Sequence, residues 1–133
     1  MLRRHDIEIP PGAKDVRFDQ EFHLPKHVLL YSVTPHMHYR GDRYLAHATL
    51  PDGSRRKLIE IPRWNQDWQF SFVLREMLLL PEGSRIDYSV WYDNSAGNAA
   101  NPDPTQTVRD GPQIWDEMMQ MWIEWIRPRT ADE

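Results

Sequence analysis

Two histidines one residue apart, in Thr34-Pro35-His36-Met37-His38-Tyr39-Arg40-Gly41, are the residues of this chain best suited to chemistry. Side chains on an extended strand alternate sides with a period of two, so His36 and His38 share a face. That spacing lets two imidazoles meet over one metal ion. The same strand, traced back, is expected to carry Leu29, Tyr31, Val33, Pro35 and Met37 on its apolar face and Ser32, Thr34, His36 and His38 on its polar one. The histidines then point away from the core. A structural histidine belongs more often on the apolar side, so the parity favours a site, although His-x-His alone is a weak signal. The chain has no cysteine, which excludes disulfides, thiolate metal sites and cysteine nucleophiles. Any soft metal ligand must be a methionine.

The elements that position this pair read as strands. Ile7-Glu8-Ile9 before Pro10-Pro11-Gly12 is a short edge strand ended by a turn. Val16, Phe18 and Phe22 alternate with charged residues, and the long strand of residues 28 to 38 follows, left through a sharp exit at Gly41. Tyr44, Ala46, Ala48 and Leu50 lead into Pro51-Asp52-Gly53, which predicts a hairpin with residues 55 to 61. Trp68, Phe70, Phe72 and Leu74 form another alternation, expected to supply core aromatics, and Ile86, Tyr88, Val90 and Tyr92 another. Residues 93 to 112 read as a long loop, whose Asp and Asn residues fit Asx turns better than a calcium site.

The stretch Trp115 to Ile126 has helical propensity but a stricter period of two. Met119, Met121, Ile123 and Trp125 make one face, with Met118, Gln120, Trp122 and Glu124 opposite. It is assigned as a strand. The total of about eight short antiparallel strands with hairpin turns and no helix predicts an all-β fold, a jelly-roll-type β-sandwich. Residues 7–127 are expected to form its single domain, with 1–6 and 128–133 as flexible termini.

Composition narrows the function. With 133 residues, 16 basic against 20 acidic side chains and a net charge of −4, the chain has no large positive field to attract nucleic acid or an anionic membrane. No window approaches the roughly 18 consecutive apolar residues of a membrane span. Met1-Leu2-Arg3-Arg4-His5 lacks the apolar stretch of a signal peptide.

By parity Met118 also lies on the face away from the core, with His36 and His38. Two imidazoles and a thioether form a soft, neutral donor set that suits copper cycling between Cu(I) and Cu(II). His36-Met37-His38 together with the downstream Asp116-Glu117-Met118 resembles the C-terminal copper domain of the type II, ascorbate-dependent copper monooxygenases, the peptidylglycine and dopamine hydroxylases. The resemblance runs from about Ile7 to Ile126. It implies a jelly roll in which His36, His38 and Met118 bind the copper at which the family activates oxygen. It also implies as partners molecular oxygen, an external reductant, a small-molecule substrate and a second copper domain, upstream or in another chain. An exported setting, periplasmic or extracellular, goes with it, though no residue here encodes one.

The chain also departs from that pattern. The three-histidine copper domain that precedes this one in the family is not found in these residues, and His5, His23, His27 and His47 are scattered over different elements. The arginine that holds the substrate carboxylate in the peptidylglycine enzyme corresponds to Thr34, and its asparagine and tyrosine partners correspond to Gln120 and Trp122. An amidating substrate is therefore not expected. The chain alone should not sustain ascorbate-driven hydroxylation. Two other readings stay open: a copper-binding or electron-transfer module without oxygenase activity, and a jelly-roll binding domain without metal. A cupin site would need an acidic residue and a later histidine, for which Asp42 is a poor stand-in.

Overall fold

The computed structural model describes residues 1–128, and every regular element among them is a strand. Alternating polarity is the cause, because an amphipathic ribbon can bury one face only by pairing into a sheet. One sheet takes β1 (Leu2–Arg4), β10 (Met119–Ile126), β4 (Val28–His36) and β7 (Phe72–Leu80), in that spatial order. The other takes β3 (Val16–His23), β8 (Arg85–Tyr92), β5 (Gly41–Thr49) and β6 (Arg55–Ile61). A small ribbon joins β2 (Glu8–Ile9) to β9 (Val108–Arg109). All strand pairs are antiparallel. The fold is the expected all-β sandwich.

Its connectivity is nested. The first strand pairs with the last, the second with the ninth, the third with the eighth, the fourth with the seventh and the fifth with the sixth. The chain is thus one long antiparallel hairpin wound on itself around Pro51-Asp52-Gly53. Gly53 takes a φ of 82° there, and Asp52 Oδ1 accepts the Ser54 N–H at 2.8 Å.

Tyr44, Ala46 and Ala48 of β5, with Ile86, Tyr88, Val90 and Tyr92 of β8, face Leu30, Val33, Met119 and Met121 of the other sheet in one buried cluster. Three of its tyrosines cross the sandwich. Tyr92 donates its hydroxyl to the Met118 carbonyl at 2.7 Å, Tyr88 to that of Met119 at 3.4 Å and Tyr44 to that of Gln120 at 2.8 Å. Burial raises all three phenol pKa values, so these hydroxyls stay protonated donors. They fix the start of β10 where Met118 and Gln120 sit.

Several expectations are corrected. There are ten strands, because β1 and β9 have too few residues to show a period. Residues 1–6 hold β1, whose Leu2 is buried and whose Arg3 makes a bidentate pair with Asp110, Nε to Oδ1 at 3.2 Å and Nη2 to Oδ2 at 2.9 Å. The expected C-terminal tail lies outside the described residues from 129 onward. Leu29 and Tyr31 do not face the core. Tyr31 is an unpaired bulge residue between Leu30 and Ser32, so Val28 and Leu30 point inward below it, and Val33, Pro35 and Met37 above it. Trp125 lies opposite that same bulge, is 37% exposed, and stacks under the Lys26 ammonium 4.4 Å from its ring centroid. Trp68 and Phe70 precede β7 instead of forming it, and both are more than half exposed.

Gly41 does not have a positive φ. A Cβ there would meet Trp64 Cδ1 at 2.7 Å and Met37 Cε at 2.9 Å, so glycine is needed for space. The long loop is folded around the fully buried Asn94. Its Nδ2 donates to the Pro10 and Gln106 carbonyls, both at 2.9 Å.

Candidate metal centre

His36 is the last residue of β4, and His38 begins the turn that leads to β5. The strand bulge at Tyr31 decides which face they take. Their rings meet edge to face, centroids 5.0 Å apart, with His36 Nε2 3.2 Å from His38 Nε2. The sequence parity placed both outside the core. His36 is half-buried at the sheet surface, whereas His38 is only 4% exposed, because the segment before β10 covers it.

Each ring is oriented from behind. His36 Nδ1 lies 2.5 Å from Gln69 Oε1, and His38 Nδ1 lies 3.2 Å from the Asp116 carbonyl oxygen. Both partners can only accept, so each Nδ1 must carry the proton and each Nε2 must present its lone pair. Desolvation lowers the pKa of both histidines, which keeps the rings neutral near pH 7. Two lone pairs thus face each other at 3.2 Å. That contact is repulsive until an electron-pair acceptor sits between them.

Met118 lies one residue before β10. Gln120 pairs in register with His36, and that register carried two residues further would set Met118 opposite His38. One carboxylate ties the two together. Glu117 Oε2 accepts from the backbone N–H of His38 at 2.8 Å and of Met118 at 3.3 Å, while Oε1 accepts from the Arg40 N–H at 2.6 Å. Burial pushes the Glu117 carboxyl up to about 8 against these donors and the nearby Arg40 charge. Gln120 Nε2 donates to Met118 Sδ at 2.8 Å, leaving the sulfur a second lone pair, and Gln120 Oε1 is buried with no hydrogen-bond partner among the described residues. The Trp122 ring closes the other side of His36, centroids 5.5 Å apart.

Arg40 builds the cover over His38. Its buried guanidinium donates to Asn94 Oδ1 at 2.8 Å, the Trp115 carbonyl at 2.7 Å and the Asp103 carbonyl at 3.3 Å. Sequence reasoning missed Gln69 and the anchoring role of Glu117. The Asp116-Glu117-Met118 motif carried a signal for Glu117. Gln69 had none, since its partner is a long-range contact. His47 stays apart on β5. Thr34, where an arginine was expected in a peptidylglycine-type site, donates to Ser71 Oγ at 3.0 Å.

Among the described residues no three His, Cys, Asp or Glu side chains converge. No protein-family model matches this chain, and no curated protein does.

Proposed function

We propose that this chain is a copper-binding domain, the oxygen-activating half of a copper-dependent monooxygenase-like protein, with His36, His38 and Met118 as the ligands. One observation carries the reading: two neutral imidazoles aim the lone pairs of Nε2 at each other across 3.2 Å, each with its Nδ1 proton claimed from behind. The Met118 thioether, one residue before β10, would complete a two-nitrogen, one-sulfur set, which suits copper better than zinc, calcium or magnesium. Copper held there would supply one-electron exchange with molecular oxygen, which these side chains cannot perform themselves. Gln69 and the Asp116 carbonyl fix the imidazole tautomers, Glu117 fixes the spacing of the two ligand-bearing segments, and Trp122 shields one edge from water.

The strand order supports the jelly-roll part of the proposal. With the β2–β9 ribbon set aside, the remaining eight strands fall into two sheets as first-eighth-third-sixth and second-seventh-fourth-fifth. A small-molecule substrate, an external reductant and a second copper domain complete the proposal. The test is elemental analysis and X-ray absorption after copper loading, with two nitrogen neighbours and one sulfur expected in the reduced form. A site without sulfur, unchanged in Met118→Ala, would remove the methionine. A chain that binds no copper would overturn the reading and leave a metal-free binding domain.

Oxygen uptake with ascorbate separates the oxygenase from a plain copper-binding or electron-transfer module. The isolated chain is expected to consume oxygen slowly, without an equivalent yield of hydroxylated product, because one ligand set is present where the resembling family uses two. Tightly coupled product formation over many turnovers would contradict this.

A further inference from the structure

A cavity of about 810 Å³ lies under the segment joining β6 to β7, with Tyr39 and Gly41 of the turn after His38 in its lining. Trp64, Trp68, Phe70 and Phe72 wall it, with Asn65 and Gln66 among its polar groups. Its size is that of a small-molecule site. The segment is ordered: the Trp64 N–H donates to the Asp42 carbonyl at 2.7 Å, the Asp67 N–H to Asn65 Oδ1 at 2.9 Å and the Trp68 N–H to the Asn65 carbonyl at 3.0 Å. This loop leaves Trp68 67% and Phe70 54% exposed, two large apolar rings held in water.

We propose that this cavity is a binding site for a neutral saccharide. Three features select that chemistry over a flat aromatic ligand. Trp68 and Phe70 stand edge to face at 88°, centroids 5.9 Å apart, and one face of Trp64 is taken by Tyr44 at 6.3 Å. Perpendicular walls do not make the parallel slot that sandwiches a planar ring. They suit a puckered ring, whose axial C–H groups, slightly positive, rest on the negative π faces. Second, the polar side chains in its lining include the neutral amides of Asn65, Gln66 and Asn98. Amides both donate and accept, and so fit hydroxyls, which do the same. Third, Glu60, Asp67 and Arg63 give the rim an acidic excess, and the chain is net negative. Acidic sugars and phosphates are thereby disfavoured.

The site does not require the metal, but it is physically joined to the histidine pair. Gln69 Nε2 donates to the Gln66 carbonyl at 3.0 Å, while its Oε1 orients His36. The segment that shapes the cavity thus also holds a candidate ligand.

The experiment titrates metal-free protein with cello-, manno-, xylo- and chito-oligosaccharides, followed by calorimetry and tryptophan fluorescence, with indole as the planar competitor. Saturable binding of at least one series is expected, weakened at least tenfold in Trp68→Ala and Phe70→Ala, with melting temperatures unchanged because both rings are exposed. Trp115→Ala, an equally exposed tryptophan outside the cavity, should bind like the parent. His36→Ala should keep saccharide binding while losing copper, so a failure of the metal reading leaves this one standing. Absence of binding across the whole panel, binding that ignores Trp68, or a cavity occupied by indole in preference to every saccharide would each overturn the proposal.

Discussion

A neutral imidazole holds a cation through the nitrogen without a proton, and for His36 and His38 that nitrogen is chosen by the group behind the ring. Gln69→Leu removes the acceptor at His36 Nδ1, so the ring is free to change tautomer. Copper affinity is expected to fall about tenfold to a hundredfold, with thermal stability nearly unchanged, checked by competition titration against a chelator. His36→Ala should abolish the copper-induced rise in melting temperature, a gain of about 2.7 kcal/mol when free metal is a hundredfold above Kd. It should leave the metal-free protein within about 1 kcal/mol of the parent, since the side chain is only half-buried.

The pH dependence of the metal-free protein follows from the same residues. Burial depresses both histidine pKa values below 6.5, so their contribution to stability is present above that value and is lost as pH falls through the folded values. Glu117 has the opposite sign. Raised from 4.5 to about 8, its contribution is complete below 4.5 and is lost as pH rises to about 8. Urea unfolding from pH 4 to 9 should show both arms. Glu117→Gln should abolish the alkaline arm and cost about 1–3 kcal/mol, because its amide N–H₂ would oppose a backbone donor.

At the scale of the element, the bulge at Tyr31 matters as much as the histidines themselves. A strand without it would carry Val28 and Leu30 inward in the same parity as Ser32, Thr34 and His36, and the imidazoles would turn toward the core. The turn after His38 depends on Gly41 in another way. Gly41→Ala drives a methyl into Trp64 and Met37, which should cost about 1–3 kcal/mol in denaturant unfolding and shift the tryptophan emission, as overpacking displaces the indole.

At the scale of the whole molecule, the nested pairing makes the ends of the chain partners. β1 covers one edge of β10 while β4 covers the other, so the strand that begins just after Met118 is central to its sheet only because residues 2 to 4 are present. Deleting residues 1–6 removes the Leu2 contact and the Arg3–Asp110 pair and bares the β10 edge. The truncated chain is expected to unfold at lower urea and to aggregate, checked by equilibrium denaturation and light scattering. Nested pairing also makes most contacts distant in sequence, and refolding in milliseconds to seconds is expected by stopped-flow fluorescence.

The sequence by itself determined the strands, the Asp52-Gly53 hairpin, the inward tyrosines of β8 and the shared face of His36 and His38, because a two-residue period is a local property that neighbours in the chain enforce. Tertiary structure alone decided the rest. Parity cannot register a bulge, so Leu29 and Tyr31 fell on the wrong faces, and the Trp68–Phe70 alternation lies in a loop beside a cavity. Gln69 behind His36, Glu117 bridging His38 to Met118, and Arg40 closing the cover are contacts between segments 33, 79 and 75 residues apart. Only the pairing of distant strands fixes such contacts, since the free energy that selects them comes from burying both partners together.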